Sequence, residues 1–290
     1  MNLKDAHQQF IGHLKGRSRA SATILAYGKD IDQLVSFLTE QPVGKIETKD
    51  VSTEDLTLFM NKLLKEGYTT KSISRKTNST KTFFKFLKSS GVIANDPAEA
   101  LEHPKFENKP PRILTKLEYR ALRDAAKGDR RIFAIIEMFL QTGIRIGELS
   151  KVTTDNISLD SPTSFLIIKP FEGSTERSIP LNAPAIDAIR KYLEVRPKTP
   201  NKSLFVTKTG RPLLIRNIRT AIDRYFKMAG IKDAKVNDLR HTWIAHHLNA
   251  GTSLTLISKL AGHKRVSTTE RYLQFVAGKT SEDKITLEEL

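Results

Sequence analysis

The sequence contains no cysteine, which excludes a disulfide framework and any cysteine-based metal site and fits a reducing cytosol. No apolar run approaches the ~20 residues needed to span a bilayer. The opening M-N-L-K-D-A-H-Q-Q-F has no apolar h-region of a secretory leader. Together these features give the expectation of a cytoplasmic protein. There is no G-x-x-x-x-G-K-[ST] phosphate loop, no H-E-x-x-H and no acidic cluster with divalent spacing, so no ATP, metal or other cofactor is expected. Internal repeats and low-complexity tracts are absent as well.

What the chain has in excess is positive charge: 48 basic against 32 acidic residues, net +16. An imbalance of that size on a chain with 39% hydrophobic residues points to a polyanionic partner, nucleic acid first among them. The excess is uneven, net +4 over residues 1–105 and net +12 over 106–290. A length of 290 residues allows one large domain or two medium ones.

Helical periodicity and punctuation divide the first part. Residues 3–15 form one short helix, and Ser21 is placed to cap the next, with Ile24, Leu25, Tyr27, Ile31, Leu34, Val35 and Leu38 at helical spacing. Ser52 caps a third, stopped by Gly67, and Thr69 or Thr70 begins a fourth, stopped by Gly91. The fourth carries Lys71, Arg75, Lys76, Lys81, Lys85 and Lys88. Lys71, Arg75 and Asn78, at i, i+4 and i+7, are the face expected to lie on DNA phosphates. Residues 1–105 thus read as a helical domain, 106–112 as a linker in the proline-rich run 103–112, and 113–290 as a second domain with a tail at 277–290.

The second domain opens on the capping box Thr115-x-x-Glu118. Asp129 then caps an apolar helix ended by Thr142-Gly143. Two strand-like runs within 164–181 predict a hairpin, Asn182 to Val195 a helix, and 213–229 a basic helix whose Arg216 and Arg219 are further candidates for DNA contact.

The stretch Val236–Val276 holds the chemistry. Asn237 or Asp238 is expected to cap a helix to Asn249, Thr252 or Ser253 a second ending near Ala261, and Ser267-x-x-Glu270 a third that holds Tyr272 in its first turns. Arg240, His263 and Tyr272 then sit at helix ends. A guanidinium binds phosphate in a fork, an imidazole moves a proton and a phenol serves as a nucleophile, which together suit attack on a phosphodiester.

R-H-T at Arg240, L-A-G-H ending 23 residues later at His263, and R-Y-L with Tyr272 nine residues beyond resemble the C-terminal signature of the tyrosine recombinase (phage integrase, Xer-type) family. T-G-I-R-I-G-E-L, 95 residues before Arg240, resembles the family's other arginine motif. The resemblance implies a mainly α fold, a two-domain C-shaped DNA clamp made of a helical N-terminal core-binding domain and an α-rich catalytic domain with a small antiparallel sheet. It also implies strand cleavage by Tyr272 through a 3′-phosphotyrosyl link, with Arg145 and Arg240 clamping the phosphate, Glu148 orienting Arg145 and His263 donating to the phosphate. The implied partners are double-stranded DNA and three further copies of the chain, a homotetramer on two duplexes. The tail residues Ile285, Leu287 and Leu290 are candidates for docking on a neighbouring copy.

Two positions depart from the family pattern. Asn237 stands where His or Lys is usual, three residues before the second arginine, and Asn is no general base. The role of accepting the tyrosine proton then passes to His263 or, as second choice, His241. Glu172 stands where the hairpin lysine is often found, leaving Lys169, or else Lys151, as the proton donor to the leaving oxygen. A DNA-binding relative with weakened catalysis and a type IB topoisomerase-like enzyme are the alternatives.

Overall fold

The computed structural model describes residues 1–17, 19–40, 47–105, 110–160, 163–171 and 175–275. The chain divides into two compact units, Met1–Lys109 and Pro110–Leu290. Glu172 and the tail residues Ile285, Leu287 and Leu290 lie outside the described residues, as does part of the linker. Among the described residues no helix is long and apolar enough to cross a membrane.

The first unit is built from α1 (Leu3–Gly16), α2 (Ser21–Thr39), α3 (Thr53–Lys65) and α4 (Thr70–Ser89). Local chemistry sets most boundaries: Ser52 and Asp55 form a reciprocal capping box, and Thr69 accepts from the Ser72 amide. Ser21 is not a cap. It is the first helical residue, after Ala20, which makes no side-chain cap bond. Phe10, Phe83 and Phe84 fill the core, with the Phe10 and Phe83 rings edge to face at 5.3 Å.

One charged cluster joins α2 to α4. The buried Asp30 carboxylate accepts from Arg75, from Lys76 Nζ at 2.9 Å and from Ser79 Oγ at 3.0 Å. Lys76, next in the chain to the expected DNA-facing Arg75, is therefore buried, because it compensates an interior carboxylate. Arg75 is half-exposed and shares that carboxylate, and Asn78 donates to the Tyr27 hydroxyl at 3.0 Å. Lys71 is exposed.

In the second unit, α5 (Lys116–Ala126) starts on the Thr115–Glu118 capping box. α6 (Arg130–Thr142), capped by Asp129, is buried on almost every side. It packs against both α8 (Ala183–Val195) and α10 (Val236–Asn249), so it is the axis of this core. A single turn, α7 (Ile146–Leu149), follows it. The sheet is antiparallel in the order β1 (Ile157–Ser158), β2 (Phe165–Ile168), β3 (Arg177–Pro180), with Leu166 opposite Ile179 and Ile168 opposite Arg177. The hairpin has the expected strands, and the two-residue β1 adds an edge too short to show any periodicity. The unit is completed by α9 (Ile215–Met228), α11 (Leu254–Ala261) and α12 (Ser267–Glu270).

The C-terminal helices differ from expectation at two points. α10 begins two to three residues earlier than a cap at Asn237 or Asp238 implies, after Lys235, and Asp238 acts from inside the helix by accepting from the Lys235 amide at 2.7 Å. α12 is only four residues long. Ser267 starts it without capping it, and the chain has left the helix at Tyr272, whose ring turns into the apolar cluster of Trp243, Leu248 and Ile257.

Gly143 shows how closely α6 and α10 meet. Its φ is +59°, and a Cβ there would lie 2.2 Å from the Trp243 ring. Gly143→Ala is expected to cost about 2–5 kcal/mol, from left-handed strain and overpacking together. Gly251→Ala, at φ +84° with open space around it, should cost only the ~1–2 kcal/mol of strain. Denaturant melts of the two variants check this, and equal losses would remove the close packing from the account.

Candidate active site

Arg145 comes directly off the end of α6, at the N-cap of α7. Its amide donates to Glu148 Oε2 at 3.0 Å and its Nη1 to Oε1 at 2.9 Å, while Nη2 reaches the Gly262 carbonyl at 2.6 Å. Glu148 is 5% exposed and accepts a second guanidinium: Arg177 Nη1 and Nη2 donate to its two oxygens at 2.9 and 2.8 Å. Burial works to raise the Glu148 pKa, but the hydrogen bonds and charges of Arg177 and Arg145 outweigh it, and the carboxyl stays below its ordinary range.

Arg177 stands on β3 and also donates from Nε to the Leu260 carbonyl at 2.7 Å. The sequence reading did not single it out. A signal existed: Arg177 is in phase with Ile179 and Leu181 on the buried side of the strand, and an arginine in an apolar phase requires a partner.

Arg240 enters from α10. It is 4% exposed, with Nη1 donating to the Gly143 carbonyl and Nη2 to the Ala261 carbonyl at 2.6 Å. Burial and the neighbouring Arg145 guanidinium press its pKa below the usual arginine range, while leaving it a cation at neutral pH. Gly262 does more than stop α11. A Cβ there would lie 2.8 Å from Arg177 Nη1 and 3.2 Å from Arg145 Nη1, so the absence of a side chain lets both guanidinium groups approach the loop.

His263 follows that glycine, and its Nδ1 meets the Thr269 hydroxyl at 2.7 Å. Burial first, then the charges of Arg240, Arg145 and Arg177, push its pKa down to about 4. The ring is neutral at physiological pH and has one nitrogen left for a ligand.

Tyr272 is 5% exposed. Burial raises its pKa, against the opposing charges of Arg240 and Arg271. Its hydroxyl lies 2.5 Å from His241 Nδ1, and the other nitrogen of that ring, Nε2, lies 2.7 Å from the side-chain amide of Asn237. The His241 pKa is also pushed down to about 4, by burial and then by Arg240.

A cleft of about 700 Å³ is lined by Arg145, Glu148, Asn237, Arg240, His241, His263 and Tyr272, with Gly262, Lys264 and Phe171 among its other walls. It joins motifs that the sequence separates by 95 and 23 residues. Lys169 is exposed just past β2 and lines a neighbouring cleft of about 270 Å³ with Lys151, and Glu148 and Phe171 border both clefts. Lys151 Nζ lies 5.7 Å from the Phe171 ring centre. Arg216 and Arg219 are exposed on α9, and Arg219 shares a third cleft with Asn237 and Arg240.

Comparison with known proteins gives a consistent result. Residues 112–277 match the phage integrase family and residues 8–91 the phage integrase N-terminal SAM-like domain. The chain is 31% identical to the tyrosine recombinase XerC of Chlorobaculum parvum, over 91% of this chain and 88% of that one. It resembles the crystal structure of XerA recombinase at 26% identity and a TM-score of 0.53, covering 93% of each chain. A lambda integrase dimer bound to a COC′ core site matches with a TM-score of 0.74 at 19% identity, over 92% of this chain and 97% of that one, a likeness of fold. With the catalytic-domain match spanning more than half of its length, the chain belongs to the phage integrase family, the tyrosine recombinases.

Proposed function

We propose that Tyr272 is the nucleophile of this site-specific recombinase and that Arg145, Arg240 and His263 bind the scissile phosphate. The observation that carries this reading is that all four line one cleft. The Tyr272 oxygen attacks phosphorus, a 3′-phosphotyrosyl bond forms and the bond to the 5′-oxygen breaks. A 5′-hydroxyl from the partner duplex then attacks the phosphotyrosyl link and releases Tyr272. One phosphodiester is exchanged for another, so the bond energy is kept and no cofactor is required.

A pentacoordinate phosphorus carries more negative charge on its non-bridging oxygens than the ground state does. Arg145 and Arg240 are already fixed by carbonyls and by Glu148, so they stabilise that charge without reorganising, which is often the largest contribution to catalysis. The neutral His263 donates its remaining N–H to the same phosphate. Lys169, from the neighbouring cleft, is proposed to protonate the leaving 5′-oxygen, with Lys151 as its alternative.

Double-stranded DNA is the proposed substrate, with Lys71, Arg75 and Asn78 of the first unit and Arg216 and Arg219 of the second proposed to contact its phosphates. The net charge of +16 supports this reading. A homotetramer on two duplexes follows from the family resemblance, and sedimentation of the protein with its duplex reads that stoichiometry directly.

A nicked suicide substrate tests the nucleophile. Wild type should accumulate a covalent DNA adduct that survives denaturing electrophoresis, while Tyr272→Phe should bind the same DNA and give none. An adduct from the phenylalanine variant would transfer the role to another residue. Lys169→Ala should slow cleavage of the ordinary 5′-oxygen ester by about 10²-fold or more. It should have far less effect on a 5′-bridging thiolate, which leaves without protonation. Equal defects on both substrates would move the role to Lys151.

A further inference from the structure

Removing the proton from Tyr272 is left unassigned by the clamp. Burial raises the pKa of the phenol, so attack near neutral pH requires an acceptor within hydrogen-bond reach. Asn237 occupies the position where a base is expected, but an amide cannot take a proton. Its one hydrogen bond among the described residues goes to His241, not to Tyr272. His263 directs Nδ1 to Thr269, which leaves it to the phosphate.

We propose that His241 is the general base that deprotonates Tyr272, and that Asn237 is a positioning residue holding its imidazole in the required tautomer. Within the reading of Tyr272 as nucleophile, the three form a chain: phenol to Nδ1 at 2.5 Å, then Nε2 to the amide at 2.7 Å. Asn237 and His241 are four residues apart on α10, so they share one face of the helix. The amide is exposed and turns about its last torsion. The atom placed against Nε2 is Nδ2; a half-turn about that torsion puts Oδ1 there instead, where it accepts from Nε2–H and leaves the Nδ1 lone pair facing the phenolic O–H. A cysteine–histidine–asparagine triad divides the same work among a nucleophile, a base and an orienting amide.

Attack transfers the Tyr272 proton to Nδ1 as the O–P bond forms. The departing 5′-oxygen takes a different proton, from the lysine donor. In the rejoining step the incoming 5′-hydroxyl returns its proton to that lysine, and Nδ1 returns its own to Tyr272. No oxidant, metal or additional water is consumed. The charged groups around the pair are mainly cationic: Arg240, Arg145, Lys264 and Arg271, with Asp238 opposing and His263 neutral. In the free site this field and burial keep His241 unprotonated, with a pKa of about 4, so the base form is ready at neutral pH. A phosphodiester seated between Arg145 and Arg240 offsets their charge and makes the imidazole more basic where the proton must go.

Single-turnover cleavage of the nicked substrate by the full chain tests the assignment. His241→Ala, and His241→Gln as a polar variant closer in size to histidine, should bind DNA and melt like wild type yet cleave about 10²–10⁴-fold more slowly. The defect should be the same with a 5′-oxygen and a 5′-thiolate leaving group, because the lost function is on the nucleophile's side. Wild type should be nearly flat from about pH 6 to 9, whereas His241→Ala should gain roughly tenfold per pH unit as the phenol ionises without help. Replacing Tyr272 by a fluorinated tyrosine of lower pKa should restore much of the lost rate. Asn237→Ala should be slower than wild type but faster than His241→Ala, and adding it to His241→Ala should cost nothing further. Wild-type cleavage by the His241 variants, or a loss confined to the oxygen leaving group, or an unchanged pH profile, overturns the proposal while leaving Tyr272 as nucleophile. An adduct formed by Tyr272→Phe overturns both readings.

Discussion

Arg145 and Arg240 line one cleft while the buried Arg177 sits against the same Glu148 carboxylate as Arg145, and the second unit is arranged around making three such charges tolerable. Arg145 and Arg177 share the buried Glu148 carboxylate. Among the described residues Arg240 has no carboxylate partner, and it rests on the carbonyls of Gly143 and Ala261. Those carbonyls are available because α6 and α11 both end in left-handed glycines, at φ +59° and +67°, where the last carbonyls of a helix have lost their internal partners. Helix termination thus fixes the arginines: the chain turns at Gly143 and Gly262, and each turn offers an oxygen to a guanidinium.

Removing Glu148 would leave like charges uncompensated in a low-dielectric interior, a cost of several kcal/mol for a buried pair broken on one side. With it in place, two positive charges remain in excess over the one carboxylate. In the proposed function a phosphodiester monoanion would neutralise part of that excess, and the pentacoordinate transition state, with its additional negative charge, would neutralise more. Burial first, and then the field that favours this charge, keep His241 and His263 unprotonated, so one partly buried, cationic arrangement holds both arginines and neutral imidazoles.

Much of this was legible in the sequence, for identifiable reasons. Caps at Ser52, Thr115 and Asp129, and at Thr69 of the pair Thr69 and Thr70, depend on a side chain and an amide three residues away, so local reading finds them. The four motif residues Arg145, Arg240, His263 and Tyr272 were legible from their joint spacing. What escaped depends on distant partners. Asp30 binds residues of α4 more than 40 positions away, so nothing local in the sequence reports the burial of Lys76. Arg177 meets Leu260, 83 positions on, and only the register of β3 hinted at its burial. Ser21 and Ser267 failed as caps because the backbone was already helical at them, a difference of one residue that composition does not encode. The choice between His263 and His241 as neighbour of the phenol was open in the sequence, because it turns on where the chain leads after α12 ends, and Tyr272 folds back over α10.

The claim on which the rest depends is that the arginines are preset for transition-state charge and contribute little to holding DNA. The direct measurement is single-turnover cleavage by Arg240→Ala and Arg145→Ala on two nicked duplexes, one with an ordinary scissile phosphodiester and one with an uncharged methylphosphonate there. The account predicts a loss of about 10²–10³-fold or more on the phosphodiester, a much smaller loss on the methylphosphonate, and nearly unchanged DNA affinity. Equal losses on both substrates, or a large loss of affinity with cleavage unchanged, would contradict it.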